Sequence, residues 1–192
     1  MNVGLTNHKI TQALERISKA VRVLLWEESK KYGISPIQIQ ILIFCLSHKL
    51  EMLKVSFLAK EFDLTKPTIS DSVKVLIKKE LLKKIPDMYD SRSYSIALTQ
   101  KGRNIAKKTS YFTNSLVAAV GSIDNDLQGA FLKNLLHIIH KLNKDDVISI
   151  QRMCLTCYHY NNENNEHFCG LLNRELQNQE LQIDCPEHKI PS

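Results

Sequence analysis

Across residues 58–99 the spacing of apolar side chains changes from helical to alternating, and that one change restricts what the stretch can fold into. A short helix, VSFLAKEF, ends at Asp63 and Leu64. A second begins at Thr65, whose hydroxyl can cap the free N–H groups of the first turn, with Pro67 placed where it forfeits no helical bond. In this second helix Ile69, Val73, Leu76 and Ile77 share one face, while Lys66, Ser70, Asp71, Lys74 and Lys78 lie off it. The period then drops toward two: LLKKI, the turn-rich PDMYDSRS and YSIALT read as a β-hairpin with two lysines on its first strand and an arginine near its tip. Two helices joined by a tight turn and followed by a basic hairpin make a winged helix-turn-helix, whose polar helix face suits a major groove.

At these residues the chain resembles the MarR family of bacterial winged-helix transcription regulators. The resemblance rests on the wing pattern D-x-x-D-x-R, five residues, then L-T, present as Asp87, Asp90, Arg92, Leu98 and Thr99, and on the preceding S-x-x-V-x-x-L of Ser70, Val73 and Leu76. It spans roughly residues 8 to 143, about the length of one regulator domain. Where the family usually has a glycine between recognition helix and wing, this chain has Glu80, and a wing position often held by proline is Met88. The resemblance implies a homodimer built by N- and C-terminal helices, two winged helices reading pseudo-palindromic double-stranded DNA, and a small phenolic or lipophilic effector bound near the dimer helices.

Roles follow within the reading unit. Thr68, Ser70 and Lys74 are expected at base edges or nearby phosphates, with Lys66 and the helix N-terminus on the backbone and Lys84 on the wing beside it. Arg92 is expected in the minor groove, where the negative potential favours arginine, with Asp90 orienting it. Asp71 either accepts from a cytosine amino group or pairs with Lys74 or Arg92.

The net charge of +6 conceals a split. Residues 54–108 hold 13 Lys and Arg against 6 Asp and Glu, whereas residues 145–192 hold 3 against 8. The positive excess coincides with the helix-turn-helix and wing, so phosphate binding there would release counterions and weaken steeply with salt. A hydrophobic content of 43% suits a packed core. The longest apolar run, IQILIFCL at residues 39–46, is too short to cross a bilayer, and no signal-peptide layout is present, so a cytoplasmic protein without membrane partner is expected. No phosphate loop, HExxH, triad order or paired-carboxylate motif occurs, and a non-enzyme is expected.

The expected fold is mainly α with a small β-hairpin wing, an α+β winged helix-turn-helix with long terminal dimerisation helices and a small cysteine-rich C-terminal module. Residues 1–34 form the N-terminal dimerisation helix, with Ile10, Leu14, Ile17, Val21 and Leu24 at helical spacing and Gly33 ending it. Ser35 and Pro36 open a helix to about Leu50 within a DNA-binding region, 35–99. Residues 100–144 supply two dimerisation helices, one capped by Thr99 and running to about Val120, the other starting near Asp124 with Leu127, Phe131, Leu135, Ile138 and Leu142 along one side.

Residues 145–192 hold four of the five cysteines. Cys154 and Cys157 form C-x2-C, Cys169 follows after eleven residues and Cys185 after fifteen more. Such a set in a cytoplasmic chain points to a metal centre rather than disulfides. The first choice is one Zn2+ per chain on four thiolates, a closed tetrahedral site that can order a segment poor in aliphatic residues. The main alternative is a 4Fe–4S cluster, whose ligand spacing in high-potential iron–sulfur proteins is similar, with Tyr158, Tyr160 and Phe168 as shields, and a metal-free thiol switch or inert cysteines are the remaining readings. With a cluster, a redox or iron–sulfur protein using the winged helix for protein association is the rival reading. His159, His167 and His188 are expected outside the ligand set, and Cys45 is read as a buried small hydrophobe.

Overall fold

A computed structural model describes residues 3–88, 93–149, 151–163 and 166–191. Packing divides the chain into two units, Met1–Leu58 with Lys66–Ala118, and Ala59–Thr65 with Ala119–Ser192. The turn of the helix-turn-helix therefore packs with the second unit.

The first unit is built around α2 (Pro36–Ser47), in which Gln38, Ile39, Ile41, Leu42, Phe44 and Cys45 are all buried. An apolar helix of this kind is stable only when enclosed. Its start is fixed by Gln38, whose side-chain oxygen accepts the Ser35 N–H at 2.9 Å. It ends earlier than the sequence pattern suggests, and Leu50–Met52 form a separate 3-10 turn. Before it, α1 (Val3–Tyr32) is thirty residues long and stops at Gly33, whose φ of +61° only glycine adopts freely. Leu25 of α1 is buried, whereas Leu5, Ile10, Ile17, Val23 and Trp26 are exposed.

After α3 (Val55–Glu61) and α4 (Lys66–Lys78), β1 (Leu82–Pro86) pairs antiparallel with β2 (Tyr94–Leu98), with Leu82 opposite Leu98 and Pro86 opposite Tyr94. The Ile96 N–H also donates to the Leu53 carbonyl at 2.9 Å, so the hairpin is anchored on its second side. Ile69, Val73 and Leu76 of α4 are fully buried with Leu58, Leu42 and Ile96, each such side chain contributing about 1.5–3 kcal/mol by burial. Helical spacing puts Ile77 on this face as well, but it is only half-buried, and Ser72 is buried in its place.

Glu80 closes α4 with a φ of +61°, and its N–H and that of Leu81 donate to the carbonyls of Ile77 and Leu76. The position where related sequences place glycine thus has the backbone that glycine favours. Glu80→Gly should raise stability by about 0.5–1 kcal/mol in chemical denaturation by removing the left-handed penalty. A loss would show that the 3.8 Å ion pair with Lys101 matters more than the backbone.

The helix expected to run from Thr99 to Val120 is broken. Thr99 does cap α5 (Gln100–Thr109), its hydroxyl oxygen accepting the Gly102 N–H at 3.0 Å. The helix then stops, because Thr109 and Ser110 turn their hydroxyls back onto the carbonyls of Ile105 and Lys107 and the next N–H groups bond three residues back. A separate α6 (Asn114–Gly121) follows, with no buried residue.

In the second unit Asp124 caps α7 (Asn125–Lys144), its carboxylate accepting the Asp126 N–H. Leu136 of α7 is fully buried with Met153, Cys154, Leu176 and Leu181, and Leu132 and Ile139 pack beside them. The tail thus folds onto a helix that the sequence pattern assigns to dimerisation alone. The stripe read from that pattern lies elsewhere on α7: Leu127, Phe131, Ile138 and Leu142 are exposed and Leu135 is half-buried. The tail also forms a three-stranded antiparallel sheet, β3 (Tyr160–Glu163), β4 (Glu166–Cys169) and β5 (Arg174–Leu176), which the sequence pattern does not announce. Among the described residues no helix is long and apolar enough to cross a membrane.

Candidate nucleic-acid interface and four-cysteine cavity

The outer face of α4 carries Lys66, Thr68, Asp71 and Lys74, all exposed, with Ser70 half-buried beside them. Asp71 pairs with Lys74, Oδ1 to Nζ 2.9 Å, one turn along the same helix. That is one of the partners expected for it, and the hydrogen bond that Lys74 donates to Asp71, followed by the carboxylate's charge, raises the Lys74 pKa. Both side chains are more than two-thirds exposed, so the pair can open at little cost when a phosphate or base competes.

On the wing, Lys83 and Lys84 are exposed, and the Lys84 ammonium lies 4.4 Å from the centre of the Tyr94 ring. That contact holds the cation near the strand rather than free in solvent. Asp87 begins the loop, its N–H donating to the Ser93 carbonyl at 3.1 Å and its carboxylate accepting from Lys54 at 2.7 Å. Lys54 was not singled out from the sequence; it precedes α3, and nothing local links it to a residue 33 positions later. Asp90 and Arg92 lie outside the described residues.

The second site is assembled from separated segments. Cys154 and Cys157 flank a 3-10 turn, Cys154–Thr156, in which the Cys157 N–H donates to the Cys154 carbonyl at 2.9 Å. Cys169 ends β4 directly opposite Tyr160 of β3. Cys185 arrives by backbone pairing: its N–H donates to the Arg152 carbonyl at 2.7 Å, and the Cys154 N–H to the Gln182 carbonyl at 3.0 Å. All four cysteines line one cavity of about 30 Å3, together with His159, Tyr160, Leu171, Leu176 and Glu187. Among the described residues no three His, Cys, Asp or Glu side chains stand close enough together to share a single ion.

Burial pushes the Cys154 thiol pKa up, opposed by the Gln182 N–H, which donates to its sulfur at 3.2 Å. His167 is buried and engaged elsewhere, sharing a 2.6 Å hydrogen bond with the Tyr160 hydroxyl and another with Asn178. His188 bonds to Thr156. His159 is the histidine that reaches the cavity, and Glu187 is a lining residue that the cysteine spacing did not suggest. Of the aromatics expected as shields, Tyr160 lines the cavity, whereas Tyr158 is 57% exposed. Cys45 is buried in α2, and burial raises its pKa to about 12, which keeps it a thiol.

Arg152, next to this cavity in sequence, is buried. Its guanidinium holds Glu61 with both terminal nitrogens, Nη1 at 2.6 Å and Nη2 at 3.3 Å, and Asp184 through Nε at 2.8 Å. Burial alone would lower its pKa, but the two carboxylates outweigh that and the net shift is upward.

Residues 32–93 match the MarR family. No curated protein sequence matches the chain. Among solved structures, the MepR–DNA complex of S. aureus is similar at TM-score 0.61 and 22% identity, covering 69% of this chain and 97% of that one. A MarR transcriptional regulator from Methanosarcina mazei Go1 is similar at TM-score 0.59 and 18% identity, covering 73% and 99%. BldR from Sulfolobus solfataricus is similar at TM-score 0.57 and 20% identity, also covering 73% and 99%. Residues 32–93 thus carry the match to the MarR family, and the chain shares the winged helix-turn-helix fold of these solved structures.

Proposed function

We propose that the chain is a cytoplasmic, homodimeric transcription regulator that binds pseudo-palindromic double-stranded DNA through α4 and the wing, and that its tail holds a metal on Cys154, Cys157, Cys169 and Cys185, zinc or an iron–sulfur cluster. The observation that carries the DNA reading is the exposed row Lys66, Thr68, Lys74 on α4 beside Lys83 and Lys84 of the hairpin, in a region with 13 basic and 6 acidic residues. The structurally similar MepR of S. aureus forms a complex with DNA.

The dimer is supported by apolar side chains left outside the core of each unit: Leu5, Ile10 and Ile17 on α1, and Leu127, Phe131 and Leu142 on α7. A second copy would remove such stripes from water. A small organic effector near the dimer helices follows from the family resemblance; on this chain the hollow beside Trp26, Lys19 and Arg22 is formed by α1 alone and is largely open.

The test is binding to duplexes selected from a random pool, followed across salt. Affinity should fall steeply with salt, and Lys74→Ala and Arg92→Ala should each weaken binding about tenfold. Arg92→Ala should also relax sequence preference where the wing meets the minor groove. Unchanged affinity in both variants would overturn the assignment of the DNA face.

A further inference from the structure

The four cysteines surround a space rather than meet at a point. Their cavity of about 30 Å3 exceeds the roughly 10–15 Å3 that one water needs on the same measure. A single zinc ion with Zn–S bonds of about 2.3 Å draws its four sulfurs to within roughly 3.8 Å of one another. Among the described residues no three side chains of ligand type converge in that way, although all four cysteines face the same cavity. A 4Fe–4S cubane has a body of eight atoms and takes its four thiolates on the outside, which is the arrangement of four cysteines around a cavity. The walls suit it as well. Leu176 and Tyr160, with the half-exposed Leu171, give the space an apolar wall, and the Gln182 N–H on the Cys154 sulfur is the kind of bond that tunes a cluster.

The segment entering this cavity also reaches the turn of the helix-turn-helix. Arg152 holds the backbone of Cys185 through its carbonyl, Asp184 through Nε, and Glu61 through both terminal nitrogens. Three residues earlier, the Ser149 N–H donates to the Asp63 carboxylate at 3.1 Å and the Ser149 hydroxyl bonds to it as well. Asp63 has a φ of +49°, and the Leu64 N–H after it closes α3 onto the Ala59 carbonyl, so this carboxylate sits at the bend itself.

We propose that the cavity is the seat of a 4Fe–4S cluster held by Cys154, Cys157, Cys169 and Cys185, and that Arg152 makes the turn Ala59–Thr65 depend on the cluster being present. This rests on the reading of the tail as a four-cysteine metal centre. Taking up a preformed cluster carried on four small thiolates breaks four cysteine S–H and four Fe–thiolate bonds, forms four Fe–S bonds to cysteine and releases four protonated thiols, with no electrons transferred. Without it, Cys154 and Cys185 lose their shared anchor and the frame that sets the Arg152 guanidinium on Glu61 loosens.

The experiment uses the full chain, purified without oxygen and supplied with a preformed 4Fe–4S cluster on small thiols. The expected protein is brown, absorbs at roughly 400 nm and carries four irons and four acid-labile sulfides per chain; a colourless protein with one zinc per chain after the same treatment overturns the cluster. Amide exchange at Leu64 is then compared in loaded and cluster-free protein. Cluster loss should speed it about tenfold in the native chain and by much less in Glu61→Gln, with Asp184→Asn as the second variant should the first fail to fold. Equal exchange in loaded and cluster-free native chain, or the full effect surviving in the variant, overturns the role of Arg152. Both readouts are made without DNA, so failure to bind any duplex overturns the regulator reading separately.

Discussion

Gly102→Ala should destabilise the first unit by about 3 kcal/mol, a fall of roughly ten degrees in its melting midpoint. A Cβ on Gly102 would stand 1.9 Å from the Leu81 carbonyl oxygen and 2.8 Å from its carbon, and these are backbone atoms that no rotamer change can move. The contact exists because Thr99 binds both ends of the wing at once. Its N–H donates to the Leu81 carbonyl, its hydroxyl donates to the Glu80 carbonyl at 2.6 Å and accepts from the Gly102 N–H. The first turn of α5 is thereby pressed onto the end of α4. An added methyl must push β1 and α5 apart, so wing placement and duplex affinity should fall together with stability. Melting with and without duplex measures both, and an unchanged midpoint would show that α5 moves aside freely.

Arg152→Ala should cost the second unit about 3 kcal/mol, toward the lower end for a broken buried ion pair because Asp184 is partly exposed. The loss arises from what remains: the Glu61 carboxylate, 17% exposed, would keep its burial without its bidentate partner. Arg152→Lys should recover only part of this, since one ammonium cannot span Glu61 and Asp184 with the planar fork that arginine supplies. Because the folded-state pKa of Arg152 is raised, its contribution is present below the unfolded value and lost only as pH rises through the folded one, well into the alkaline range. Exchange protection at Leu136 reports the second unit and at Ile39 the first. Loss at Leu136 alone is the expected result; equal loss at both would assign Arg152 a role throughout the chain.

Several elements were legible because their causes are local. Ser35 with Pro36, Thr99 and Asp124 each mark a helix start within a few residues, and all three starts are found. The inner face of α4 and the strands of the wing followed from spacing alone. The break between α5 and α6 was missed although its cause is equally local, because a run of helix-compatible residues hides two hydroxyls that bond back to their own helix. The sheet β3–β5 was missed for another reason. Asn161 and Asn162 carry no apolar alternation, and the strand forms because it pairs with β4 and packs beside the cysteines.

What the sequence determined by itself is the winged helix-turn-helix and the spacing of four cysteines in the tail: two helices and a tight turn, the basic hairpin and a C-x2-C pair with two more cysteines, each fixed by periodicity, capping or residue type within short segments. The tertiary structure alone decided that α7 has two apolar faces, one buried against the tail, and that Arg152 binds a residue 91 positions away at the bend between α3 and α4. The physical reason is range. Caps and periods act within a few turns of chain, whereas a buried guanidinium is stable only where folding brings carboxylates to it, and no spacing in the sequence records which ones.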